Sequence, residues 1–293
     1  MKEDFKKNNT VHLQGYVNDV RMNEYERGDK KMTAINLIVA TQERYQDKDG
    51  VWKARYTNHE VAMFTDKKDV IEKFGKVSKD IEEKNANKET EGFKATNHTV
   101  SLDGILVNGE KKLGEDSYRS VQIIAKADGV KLDAKKQEEE VSNKATLSGN
   151  IANVYVDKEK NFAVLSVIHN FRPEGTDKDM KTAIDVRVSG DRKFSAPTYE
   201  KIAKGEIGTG DFIRVSGQLH NANRPVEGKG TRYGVALDLT GFEMIQSKAE
   251  KREAKTEVKA APKAEKKAEK APAQKAEPKK ATSRKKKAGV TMN

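Results

Sequence analysis

His12, His59, His98, His169 and His220 are the side chains of this sequence best suited by type to ligate a metal or move a proton. Metal motifs bring such ligands together a few residues apart, and no two of these histidines fall at that spacing. Each reads as a strand residue. "GEIGTGDF" (205–212) is rich in glycine, but it lacks the Lys-Ser/Thr of a phosphate loop and precedes a strand rather than a helix. "DKDG" (47–50) begins like a calcium loop without the third acidic position, so it reads as a hairpin turn. No Ser-His-Asp arrangement follows from spacing alone. Cysteine is absent, which removes disulfides, thiolate metal sites and cysteine nucleophiles and suits a reducing compartment. The reading is a protein without enzyme activity, metal or cofactor.

The remaining chemistry is electrostatic. Of the net charge of +11, residues 248–293 carry +10, from 16 Lys+Arg against 6 Asp+Glu. This segment is rich in Lys, Ala, Pro and Glu, has no aromatic residue, and is interrupted by Pro262, Pro272 and Pro278. It has too little apolar surface to offset its ordering entropy and reads as a disordered basic tail. Its unbroken cluster Arg284, Lys285, Lys286 and Lys287 suits an arm for a polyanion, the alternative being a solubilising tail. No apolar run approaches the roughly 18 residues of a membrane span, and "MKEDFKKNN" has no apolar signal core, so a cytoplasmic protein without membrane contact is expected.

Ahead of the tail the dominant period is two. Ile35, Leu37 and Val39 alternate with Ala34, Asn36 and Ile38, and His59, Val61 and Met63 with Asn58, Glu60, Ala62 and Phe64. These are strands, with the second histidine–valine–methionine set facing the core. Helical spacing is confined to Val70, Ile71, Phe74, Val77 and Ile81, with Asp66 as the N-cap, and to the short "APTYEKIAK". One phrase recurs four times: "VHLQGYV", "VSLDGIL", "ATLSGNI" and "IRVSGQL", strands centred on Gly15, Gly104, Gly149 and Gly217. Around them the order strand–strand–strand–helix–strand–strand occurs twice. That is the order of the OB-fold, a five-stranded barrel, and a mid-strand glycine permits the bend or bulge that closing so small a barrel demands. The expectation is an all-β-dominated chain of two tandem five-stranded OB-fold barrels, each with a helix between its third and fourth strands. The divisions are 1–130, a linker at 131–143, 144–246, and the disordered tail 247–293.

Both halves resemble bacterial and phage single-stranded-DNA-binding proteins, over roughly 9–127 and 143–245. "NTVHLQGYV" is similar to that family's opening strand, and "INLIVATQERYQDKDGVWKARYTNHEVAMF" to its second and third strands with their long hairpin. "IAKGEIGTGDFIRVSGQLHNA" resembles its helix end and fourth strand, and "RPVEGKGTRYGVALDL" its last hairpin and strand. The resemblance implies sequence-independent binding and protection of single-stranded DNA in replication, recombination or repair, with RNA as a second candidate ligand. Tyr45 stands at the family's stacking aromatic before the hairpin, Phe64 at the one ending the third strand, and Phe171 at the pre-hairpin position of the second repeat. Asn58, Ser189 and Arg224 occupy positions where the family carries aromatics. The acidic C-terminal tip of the family is replaced by "RKKKAGVTMN", which favours a phage or mobile-element version. Family assemblies have four barrels, so a two-barrel chain implies a homo-oligomer, a homodimer in the simplest case.

Single-strand binding needs aromatic faces for the bases and cations for the phosphates. In the first repeat the candidates are Tyr45, Trp52, Arg55, Tyr56, Phe64, Tyr118 and Arg119. In the second they are Phe171, Arg172, Lys181, Arg187, Arg192, Arg224, Arg232 and Tyr233. Core packing is the alternative for the rings, and a plain solvated surface for the cations. Two rival functions stand beside the main one: DNA packaging or annealing driven by the tail, and a structural protein that uses the barrels as scaffold.

Overall fold

The computed structural model describes residues 9–47, 49–92, 94, 96–133, 143–172 and 179–250. The chain divides into one unit, Met1–Glu253, which holds all of these residues, and a second, Ala254–Asn293. The tail and its cluster Arg284–Lys287 therefore lie outside the described residues.

The first half runs β1 (Asn9–Arg27), β2 (Lys30–Gln46), β3 (Trp52–Thr65), α1 (Lys68–Ala86), β4 (Thr99–Leu113), β5 (Asp116–Ala125) and a short β6 (Lys131–Leu132). The second runs β7 (Asn143–Asp157), β8 (Phe162–Phe171), β9 (Met180–Ser189), α2 (Ala196–Ala203), β10 (Phe212–Asn221), the small hairpin β11 (Arg224–Val226) and β12 (Gly230–Arg232), and β13 (Val235–Gln246). Lys131 and Leu132, expected as linker, instead pair with Ser101 and Val100. Among the described residues no helix is long and apolar enough to cross a membrane.

Strands β1, β2, β3, β5 and β4 pair in that order, and β4 returns to β1. The same ring recurs as β7, β8, β9, β13 and β10, with β10 returning to β7. In each ring one link is parallel, Val61–Ala62 beside Ile123–Ile124 and Val186–Arg187 beside Leu237–Asp238. Alternation sends Ile35, Leu37, Val39, Val61 and Met63 into the first ring, and Ala163, Leu165, Val167, Val186 and Val188 into the second. Burying each larger aliphatic side chain contributes about 1.5–3 kcal/mol.

The four glycines sit where a strand changes neighbours. Gly104 is the last residue of β4 paired to β1 and the first paired to β5. Gly15 and Gly149 immediately precede Tyr16 and Asn150, each of which pairs on both sides. Gly217 is the last residue of β10 paired to β7, at a register shift against β13. At these crossings the chains press together. A Cβ at Gly15, Gly104, Gly149 or Gly217 would come within 3.0 Å of the carbonyl oxygen of Ala40, Ile124, Ile168 or Asp238 respectively. Close backbone approach, rather than an unusual φ, requires glycine there.

Helix α1 buries Phe74, Val77 and Ile81 as its spacing predicts. Its start differs from expectation. Lys67, not Asp66, holds the N-cap position and makes no side-chain capping bond, while its amide donates to Thr65 Oγ1 at 3.1 Å.

The two rings are joined edge to edge, Asn9–Leu13 of β1 pairing antiparallel with Leu147–Asn143 of β7. Two buried asparagines secure the ends of these strands in the same way. Asn9 Nδ2 donates to Leu106 O (2.8 Å) and its Oδ1 accepts from Leu106 N (2.9 Å). Asn143 does likewise with Leu219, at 2.5 Å and 3.0 Å. Across the junction Asn108 grips the backbone of Ala183 by both its groups (3.0 and 2.6 Å), and Thr182 Oγ1 donates to Leu106 O at 3.0 Å.

Candidate nucleic-acid interface

Strand β3 builds the site. Its inward residues Thr57, His59, Val61, Met63 and Thr65 are buried, so Trp52, Tyr56, Asn58, Glu60, Ala62 and Phe64 point the other way. Trp52 is 66% exposed, Tyr56 54% and Phe64 46%. Rings this open on one strand face are costly unless something covers them. Cross-strand partners share a face, so Ala40, Ile38, Asn36 and Ala34 of β2 join them, and beyond these Tyr16 and Arg21 of β1. Tyr25 meets Phe64 edge-on, ring centroids 6.2 Å apart.

An open groove of about 470 Å³ crosses this surface, bordered by Asp19, Arg21, Asn36, Glu60 and Gln122. A second, of about 510 Å³, lies at Gln42, Arg44 and Trp52 on the projecting hairpin. The carboxylate in the middle, Glu60, is neutralised by Lys111 and accepts from Gln122 at 3.2 Å. The surface is thereby acceptable to an anion.

The candidate residues of the first ring fall into two groups. Trp52, Tyr56 and Phe64 share the outward face, and alternation along β5 puts Tyr118 on it with Gln122. Tyr45 and Arg55 lie on the opposite face of the hairpin, across from Lys53 and Glu43. Arg55 does not join the rings as expected. It binds Glu43 Oε2 (2.5 Å) and lies 3.2 Å from His220 Nε2 in the other ring. Arg119 stands opposite Glu110 and is exposed.

Three candidates expected separately come together at the junction. Arg232 lies over the Tyr118 ring, 5.0 Å from its centroid, and the Tyr233 amide donates to Tyr118 Oη at 3.3 Å. Lys229 pairs with Asp116 beside them. The last hairpin of the second ring is thus docked on the β4–β5 hairpin of the first.

In the second ring Lys181 and Arg187 share the outward face of β9 with Asp185 and Ser189. Most of its cations are already engaged. Arg187 and Arg192 both pair with Asp238, at 2.8 and 3.2 Å, Arg224 with Asp185 at 3.6 Å, and Arg172 with Asp179 at 2.8 Å. The Arg172–Asp179 pair lowers the carboxyl pKa and raises that of the guanidinium. Lys181 makes no ion pair among the described residues. Phe171 faces inward and stacks on His169, centroids 5.8 Å apart.

Sequence reasoning passed over Tyr16, 45% exposed on the outward face. The signal was present: Val11, Leu13 and Val17 set the inward parity of β1, which leaves Tyr16 outside. It also passed over Tyr155, Phe162 and Phe194 of the second half.

His59, His98, His169 and His220 are buried, and His98, expected as a strand residue, precedes β4 instead. His98, between Asp80 (3.0 Å) and Asp133 (3.2 Å), ties α1 to the end of the first half. His59 is buried, hydrogen-bonds through Nε2 with Thr41 Oγ1 (2.9 Å), and is pushed down to about pKa 3 by burial and then by His220. His220 is also lowered, by burial first, with Asp238 and Glu43 opposing and Arg55 and Arg187 assisting. His169 is lowered by burial, partly offset by its bond to the Ser148 carbonyl.

Comparison with solved structures shows the fold. The single-stranded DNA binding protein from Thermus aquaticus superposes with a TM-score of 0.50 at 14% identity, over 82% of this chain and 93% of that one. A deletion and substitution mutant of the same protein gives 0.50 at 15% identity, over 82% and 95%. A Plasmodium falciparum protein solved in complex with single-stranded DNA covers 44% of this chain and 95% of its own, with a TM-score of 0.30. The fold is that of the single-stranded-DNA-binding proteins. Neither a protein-family model nor a curated protein matches the sequence.

Proposed function

We propose that this protein binds and protects single-stranded DNA through two tandem OB-fold barrels, one in each half of the described chain, and catalyses no reaction. The observation that carries this is the set of exposed rings Trp52, Tyr56 and Phe64 on one face of β3. The rings lie four and eight residues apart on that face, about 13 and 26 Å, so a flexible strand can lay unstacked bases on them at intervals, and stacking needs no particular sequence. The cations of the second ring's face supply phosphate attraction, the carboxylate-bound ones only after exchanging partners. The basic tail adds sequence-independent attraction, and the protein acts in DNA replication or recombination as a homo-oligomer.

Trp52 is the only tryptophan, so its fluorescence tests the reading directly. Titration with an oligo(dT) should change its emission and saturate, and duplex of equal length should compete poorly at physiological salt. Each lost stacking platform is worth about 1–3 kcal/mol, so Trp52→Ala should weaken binding about 5- to 150-fold. Unchanged emission together with unchanged affinity in Trp52→Ala would remove this face from the site.

A further inference from the structure

The second ring lacks an aromatic where the first carries Phe64, and strand register shows where it has gone. The buried pair Ile35–Met63 of the first ring corresponds to Ala163–Val188 of the second. The neighbouring outward pair Ala34–Phe64 therefore corresponds to Phe162–Ser189. The ring has crossed from the third strand to the second. Directly opposed side chains stand about 5 Å apart at Cβ, so Phe162 covers much the same patch of surface.

Two further rings lie on the segments that flank it. Tyr155, 57% exposed, lies opposite Val164, in the row next to Phe162 on the same outward face. The first ring has Arg21 there, opposite Asn36. Phe194, 75% exposed, sits in the loop between β9 and α2, residues 190–195. In the first half only residues 66 and 67 separate strand from helix. The longer loop is pinned beside Phe162: Gly190 N donates to Asn161 O (2.8 Å), Asn161 Nδ2 to Asp191 Oδ1 (2.7 Å), and Ser195 Oγ to Ser189 O (2.6 Å). It presents Arg192, Lys193 and Phe194 in succession, and Lys193 makes no ion pair among the described residues.

We infer that Tyr155, Phe162 and Phe194, with Arg192 and Lys193, form the base-stacking site of the second barrel, displaced toward the β7–β8 turn relative to the first. The inference rests on the function proposed above and names the part of the same ligand, single-stranded DNA, that the second half holds. Three aromatic faces beside Lys193, and beside Arg192 once it exchanges Asp238 for phosphate, match unstacked bases and their phosphates. Single exposed rings are ordinary on a protein surface. Here two exposed rings and the half-buried Phe162 come from three separate elements, and Phe162 takes the place of a ring missing from the internal repeat.

The test uses the full-length protein and two oligo(dT) lengths, since one such barrel covers about 4–16 nucleotides. A strand of about 8 nucleotides can be served by one barrel, and one of about 32 spans both. Tyr155→Ala combined with Phe194→Ala removes two stacking platforms and should weaken binding of the longer strand by at least about 25-fold. The Trp52 response to the shorter strand should be unaltered. In a Trp52→Phe background, Phe194→Trp should give an emission change on binding the longer strand. Both changed side chains are exposed, and thermal unfolding matching wild type shows the fold intact. Unchanged affinity for the longer strand, with no emission change in the Phe194→Trp protein, would overturn the inference. If Trp52→Ala still weakens binding in that case, the main proposal stands alone. If wild-type protein binds neither strand, the function itself fails.

Discussion

His59 makes this fold sensitive to acid, and the size of the effect follows from its surroundings. The ring is 1% exposed between the two halves, with Nε2 held by Thr41 and Nδ1 without a partner among the described residues. Burial, with His220 nearby, lowers its pKa from 6.5 to about 3. Folded protein therefore keeps His59 neutral, whereas the unfolded chain takes up a proton below about pH 6.5. More protons are bound by the unfolded state, so stability falls as pH falls, starting near 6.5 and ending near 3. The slope for one such group is about 1.4 kcal/mol per pH unit, so about 2 kcal/mol is lost by about pH 5. That is a large part of a typical stability of about 5–15 kcal/mol. His169 and His220, also lowered by burial, add to the slope of the wild type. His59→Gln isolates its own share by removing one titrating group and leaving the other two. Urea unfolding followed by circular dichroism at about pH 7.5 and about pH 5 should show the variant losing about 2 kcal/mol less than wild type over that interval. The comparison is unaffected by any constant cost of the substitution. Equal losses in the two proteins would show that His59 is hydrated or rearranges to accept its proton, and would refute the argument.

Other outcomes follow from the crossings, the clamps and the tail. Gly217→Val puts a branched side chain against the Asp238 carbonyl and should destabilise by about 1–3 kcal/mol in thermal or urea unfolding; a neutral result would mean that β10 does not approach β13 as closely as described. Asn143→Ala orphans the buried amide and carbonyl of Leu219, and should cost about 2–4 kcal/mol in the same measurement, far more than Asn→Ala on an exposed strand. Removing residues 248–293 takes away +10 of charge; if about six of those cations meet phosphate together, the slope of log affinity against log salt should flatten by about 4. The preference for single strands should survive that truncation, and its loss would move the binding site from the barrels to the tail.

Much of this architecture is written locally. Strict alternation in residues such as Ile35 to Val39 and Val61 to Met63 declares strands and their buried faces, because the pleat has a period of two wherever the strand lies. The repeated glycines declare the crossings for a similar reason: only glycine survives beneath a neighbouring carbonyl, so the demand shows as a residue type. The outward set Trp52, Tyr56 and Phe64 follows from the same parity. Asn9 and Asn143 each precede a crossing glycine by six residues, a legible repeat, but their grip on Leu106 and Leu219 is not, since those partners lie 97 and 76 residues away. Arg55, Arg187 and Arg192 look like free cations in sequence, and only the folded chain places Glu43 and Asp238 against them. The exchange of Phe64 for Phe162 is equally hidden, because a ring on the second strand replaces one on the third only after register has set those strands side by side. Periodicity is imposed by each residue's own backbone. Partnership is imposed by pairing between distant segments, such as β1 with β7, and that was decided by tertiary structure alone.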